Sequence, residues 1–118
     1  MRETDYKIGT VLDVGNIMFV DELADGFADA FIDNVRQVHI KDYAFMDTIP
    51  DTRFYLTRGN RYLVPREIGT GDVPHERVAK ILKDADYSGY FSIEFDKPES
   101  EDELVRALLY VDKVYGNN

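Results

Sequence analysis

Three short strand-like runs in this chain each end on a side chain able to hold a metal ion: Thr10-Val11-Leu12-Asp13, Val35-Arg36-Gln37-Val38-His39 and Tyr90-Phe91-Ser92-Ile93-Glu94. An aspartate, a histidine and a glutamate brought to one point offer oxygen and imidazole donors, a set that suits divalent ions such as Mn, Zn, Co or Mg. Each run is followed by a stretch with helical periodicity. The elements that must position these side chains are therefore strands of a βα repeat, a fold that does its chemistry at the rim where the strands end. The pattern predicts an α/β fold with Asp13, His39 and Glu94 as metal ligands on one common face.

Residues 8–14 form a β-branched-rich run suited to a strand buried on both faces, and Gly15 and Asn16 break it. From Asp21 to Asn34, Leu23, Phe27, Ala30 and Phe31 repeat at helical spacing with acidic residues early, which predicts an amphipathic helix that buries these four. Val35–Ile40 is the second strand. About 30 residues then precede the next helical pattern, an unusually long connection of the kind that is commonly functional at strand ends. Inside it, Phe54–Thr57 and Arg61–Val64 flank Arg58-Gly59-Asn60, the sign of a hairpin excursion.

A second helix is predicted with Asp72 as cap, Pro74 in its first turn, and Val78, Ile81, Leu82 and Ala85 buried. Tyr90–Phe95 is the third strand. Ser100 can cap a third helix, with Glu103 at capping-box spacing and Leu104, Leu108, Val111 and Tyr115 inward. The order is β-α-β-α-β-α, with right-handed crossovers expected.

The 118 residues suffice for a single domain, residues 1–118, with a modest core. With 14 basic and 23 acidic side chains the net charge is −9, which disfavours nucleic acids and anionic membranes as partners. No cysteine is present, so disulfides and thiolate metal sites are excluded. No apolar run approaches the ~20 residues of a membrane span, and the first residues lack the apolar segment of a signal peptide. The expected compartment is the cytoplasm.

Four segments stand in a familiar order and spacing: Leu12-Asp13-Val14-Gly15-Asn16, Val38-His39-Ile40-Lys41-Asp42, Ile68-Gly69-Thr70-Gly71-Asp72-Val73 and Gly89-Tyr90-Phe91-Ser92-Ile93-Glu94. Through them, residues 8–114 resemble the closing part of sugar phosphate isomerases and epimerases. These are xylose-isomerase-like TIM barrels, which also include endonuclease IV, hydroxypyruvate isomerase and inosose dehydratase. The four motifs in register point to the superfamily rather than to a substrate. A complete barrel of this type needs ~250 residues and eight strands. The resemblance therefore implies a partial TIM barrel, three βα units corresponding to strands six to eight, with the hairpin excursion in the loop after the second of them.

In the complete enzyme that the resemblance implies, Asp13, His39 and Glu94 hold a divalent metal that binds the oxygens of an open-chain ketose or aldose. The metal stabilises the developing enediolate. Glu94 is the catalytic carboxylate, moving the proton with a second glutamate from an earlier strand. That second glutamate has no counterpart here, so a fragment inactive alone is expected. Lys41 is placed at a substrate oxygen or phosphate, and Asp42 is expected to orient Lys41 or a loop arginine. Three adjacent parallel strands leave two open edges and an uncovered inner face. The alternative is therefore a non-catalytic half-barrel that oligomerises through that face; in either case a homo-oligomer or association with the rest of the barrel is expected. A nuclease of the endonuclease IV type is disfavoured by the −9 charge and by the presence of only two histidines.

The remaining polar features divide. Asn16 serves either as a hydrogen-bonding partner behind the ligands or as a turn residue tolerant of a left-handed backbone. Gly69-Thr70-Gly71-Asp72 matches neither common nucleotide fingerprint and reads as a tight turn with a capping aspartate. Of Arg53, Arg58, Arg61 and Arg66 in the long connection, only Arg66 is assigned to substrate, and the others are solvated loop charges. His75 is expected to be exposed, and Phe27, Phe31, Phe91 and Tyr115 to lie in the core.

Overall fold

The computed structural model describes residues 8–95 and 100–116. Three strands, β1 (Thr10–Asp13), β2 (Val35–Ile40) and β6 (Tyr90–Ile93), form a parallel sheet in the order β1-β2-β6. Parallel pairing requires a crossover between consecutive strands. Helix α1 (Ala24–Phe31) supplies the first and α2 (His75–Asp84) the second, while α3 (Glu101–Tyr115) follows β6.

The strands alternate in what they face. Leu12, Val14, Val38 and Ile40 are fully buried in the core that includes the helices. Val11, Gln37 and Tyr90, which pair in one row, lie in the alternate set, where Val11 is 50 % and Tyr90 85 % exposed. Burial therefore fixes the register, because a one-residue slip would exchange the two sets.

The helices are shorter than their periodicity suggested, and two of them are rotated. Short 3-10 turns at Asn16–Val20 and Ile32–Asn34 bracket α1. The helix buries the small residues Ala24 and Ala28, leaving Leu23 and Phe31 40 % and 43 % exposed and Ala30 at the surface. Helix α1 lies against both α2 and β1, and Phe31 stacks on Phe27 at 4.8 Å instead of entering the core. Helix α2 starts at His75 with Pro74 at its N-cap; it buries His75, Val78 and Leu82 and leaves Ala85 exposed. Asp72 does not cap it, because its carboxylate instead accepts a hydrogen bond from Phe45 N at 2.8 Å. Helix α3 is capped as expected, with the Ser100 hydroxyl accepting from Glu103 N. It buries Ala107, Val111 and Tyr115, while Leu108 is 59 % exposed.

The long connection after β2 holds a second, antiparallel sheet. The expected hairpin is present as β4 (Tyr55–Leu56) against β5 (Tyr62–Pro65), and a further strand, β3 (Tyr43–Met46), pairs with the other side of β5. Asp21 fastens the hairpin to the first crossover, accepting from Thr57 Oγ1 at 2.6 Å and from Gly59 N at 2.8 Å. Phe19 packs edge-on to Tyr43 and Tyr55, and Leu63 and Tyr43 join the core that includes the parallel sheet. No helix among the described residues is long and apolar enough to cross a membrane.

Candidate metal centre

Register brings the three ligand candidates together. Asp13 is paired with His39 across β1 and β2, and His39 is paired with Ser92 across β2 and β6. Glu94 lies one residue past β6, its backbone N–H held by Ile40 O at 2.8 Å. All three side chains therefore emerge at the carboxyl end of neighbouring strands, half-buried, with one ligand atom from each within 4.8 Å of the others. His39 Nδ1 lies 2.8 Å from Glu94 Oε1 and 4.0 Å from Asp13 Oδ2.

Local backbone geometry fixes Asp13. Its Oδ1 accepts from Gly15 N at 3.0 Å and Asn16 N at 2.9 Å, which leaves Oδ2 directed at the cluster. One oxygen is thus used for positioning and the other faces the cluster. Two carboxylates and an imidazole, partly shielded from water, fit a divalent ion of the Mn, Zn, Co or Mg kind.

A fourth residue belongs to the cluster. Lys41 Nζ lies 2.6 Å from Glu94 Oε2 and 3.2 Å from Asp13 Oδ2, and it donates to Asn16 Oδ1 at 3.1 Å. Burial works against the charge of Lys41, but the Glu94 hydrogen bond and the Asp13 charge outweigh it and hold the ammonium above its ordinary pKa. The same bond from Lys41, aided by the nearby His39, outweighs desolvation and keeps the Glu94 carboxyl below its ordinary pKa. Asn16 stands at the start of the 3-10 turn, and its side chain is a hydrogen-bonding partner of Lys41.

Asp42 does not orient Lys41 or an arginine. Its carboxylate is buried and accepts from Gly69 N at 2.8 Å, Gly71 N at 3.2 Å and Val73 N at 3.2 Å. The Gly69–Asp72 turn therefore does bind an anion, and that anion is the protein's own aspartate. His75, expected at the surface, is buried because its Nε2 bonds Asp42 Oδ2 at 3.0 Å and its Nδ1 bonds the Tyr115 hydroxyl at 2.7 Å. The sequence reading missed this group, whose only signal is a histidine just after Pro74 at the helix start.

Lys41 and Glu94 also line a cavity of about 930 Å³ whose walls carry Arg53, Arg66, Arg106 and Thr70. Arg66 lies outside the carboxylate cluster but on this same cavity, its guanidinium contacting Pro65 O at 3.4 Å and Met46 Sδ at 3.5 Å. Arg106 is held by Glu67, with Nε 2.8 Å from Oε1.

This arrangement agrees with a family model for xylose isomerase-like TIM barrels, which matches residues 2–113. The chain belongs to the xylose isomerase-like TIM-barrel family. Among solved structures it is similar to a xylose isomerase domain protein from Planctomyces limnophilus, with a TM-score of 0.70 and 23 % sequence identity. That likeness covers 92 % of this chain but 39 % of the other, so the chain spans well under half the length of that relative. No curated protein matches at a significant level.

Proposed function

We propose that residues 1–118 form one domain, the closing three βα units of a (β/α)₈ barrel equivalent to strands six to eight. In this reading it is the metal-binding part of a sugar or sugar-phosphate isomerase or epimerase. The observation that carries the reading is the convergence of Asp13, His39 and Glu94 from three adjacent parallel strands. A divalent ion bound there supplies Lewis-acid stabilisation of charge developing on a substrate oxygen.

The chain's own residues account for the rest. Glu94 takes the proton from the carbon beside the substrate carbonyl to give an enediolate, and Glu94 together with a second glutamate from an earlier strand returns a proton to the neighbouring carbon or, from the second glutamate's side, to the opposite face. Lys41 binds a substrate oxygen, Asn16 positions Lys41, and Arg66 on the cavity wall takes the distal hydroxyl or phosphate end of the substrate. The second acid/base carboxylate belongs to an earlier strand of the barrel, so the chain alone is inactive or nearly so.

A second reading is favoured by the exposed apolar surface. Tyr90 on β6 is 85 % exposed, and Val105, Leu108 and Leu109 on α3 are 53 %, 59 % and 66 % exposed. Exposed apolar side chains on α3 and on β6, an end strand of the parallel sheet among the described residues, suit a half-barrel that assembles with itself or with the rest of a barrel. Mn²⁺ calorimetry decides between the two: binding by the wild-type chain that is lost in His39→Ala, Asp13→Asn and Glu94→Gln supports the metal enzyme lineage. Binding that survives all three substitutions rejects it.

A further inference from the structure

Lys41 is bound more completely than a substrate-binding residue needs to be. Its ammonium touches Asp13 Oδ2, the oxygen aimed at the cluster, as well as Glu94 Oε2 and Asn16 Oδ1, so all three of its donors have partners. The path of the side chain is also built into the backbone. A Cβ at Gly15 would lie 2.4 Å from Lys41 Cγ and 2.8 Å from Cδ, so the aliphatic stem runs through the space that glycine leaves. Gly15 has an ordinary right-handed backbone, φ −101° and ψ −37°, so conformation does not require glycine there. The absent side chain serves the passage of Lys41.

We infer that Lys41 is a resident counter-ion of the metal centre: its ammonium holds Asp13 and Glu94 together, and a divalent ion enters by displacing it. The inference rests on the proposed metal site and adds its regulation. The carboxylates of Asp13 and Glu94, gathered with His39 so that one ligand atom of each lies within 4.8 Å of the others, would otherwise repel one another. A single positive charge already placed between the carboxylates keeps them in the geometry the metal needs. Metal entry then costs the two ion pairs of Lys41, and the released ammonium remains on the wall of the substrate cavity, where it can meet a substrate oxygen. Metal loading and substrate recognition are thereby coupled through one side chain.

The test is Mn²⁺ affinity, measured by calorimetry on the full chain. Lys41→Met removes the competing charge and keeps most of the stem. Gly15→Ala leaves the charge but puts a Cβ into the path of the stem, which must shift and draw the ammonium from its present seat. Either variant is expected to bind Mn²⁺ about fivefold to tenfold more tightly than wild type, the scale of no longer breaking two partly shielded ion pairs. Tightening in either supports the inference. Equal or weaker binding in both, with wild type still binding, overturns this inference alone. Absence of Mn²⁺ binding from all three proteins overturns the metal site and the inference together.

Discussion

His75 Nε2 lies 3.0 Å from Asp42 Oδ2, and each residue is only 3 % exposed. A carboxylate can only accept, so Nε2 donates to Asp42, while Nδ1 shares a hydrogen bond with the Tyr115 hydroxyl, whose pKa burial pushes well above its ordinary value. This chain of bonds ties the end of α3, through Asp42, the residue that follows Lys41, to the turn after β5. Replacing His75 by Leu removes one of the four donors to a buried carboxylate, the other three being the backbone N–H groups of Gly69, Gly71 and Val73, and is expected to cost roughly 1–3 kcal/mol. Tyr115→Phe, which deletes one hydroxyl, should cost about 1 kcal/mol. Urea denaturation checks both; a His75→Leu protein as stable as wild type contradicts the assignment.

The fastening of the hairpin is pH-dependent. The hydrogen bond from Thr57 is the main cause that holds Asp21 below its ordinary pKa of 3.8, with Gly59 N–H and Arg61 adding to it against desolvation. The folded pKa is below the unfolded one, so this contribution is present above pH 3.8 and is lost as pH falls through that value to the lower folded one. The stability difference between wild type and Asp21→Asn should be constant near neutrality and shrink below about pH 4. A difference that grows in acid would reverse the sign and refute the role.

Gly69 has φ 95°, and a Cβ there would meet the Tyr110 ring at 2.7 Å. Gly69→Ala is therefore strained twice and should lose about 1–3 kcal/mol, since the turn it closes is the one clasping Asp42. Thermal unfolding with the midpoint unchanged would show that the turn tolerates a side chain.

The exposed stripe Val105, Leu108 and Leu109 predicts association. Sedimentation of the wild-type chain should show species larger than the monomer, and a Leu108→Lys, Leu109→Lys double variant should shift them toward monomer. A strictly monomeric wild type removes the assembly reading.

The site was legible where the local pattern and the tertiary demand coincide. A strand-like run closed by a polar residue states both the strand and the rim position, and Asp13, His39 and Glu94 follow from it without knowledge of distant contacts. Long-range demands were not legible in the same way. Strand β3 follows Asp42 with only two residues between it and β2, so no turn signal separates the two strands. Asp72 looks like a helix cap in its own neighbourhood, yet Phe45, 27 positions away, takes its carboxylate. His75 appears polar and terminal until Asp42 and Tyr115 are brought to either side of it. Periodicity likewise gave the existence of α1 and α3 but misjudged one edge of each buried face, since α1 buries the small Ala24 and Ala28 while Leu23 and Phe31 stay outside, and α3 buries Ala107 while Leu108 stays outside.

The account stands most directly on the position of a bound ion. A crystal of the chain soaked in Mn²⁺ and measured near the manganese absorption edge should give one anomalous peak within coordination distance of Asp13, His39 and Glu94, with Lys41 turned away from both carboxylates. Anomalous density elsewhere, or a Lys41 ammonium still seated between Asp13 and Glu94 at saturating Mn²⁺, would contradict it.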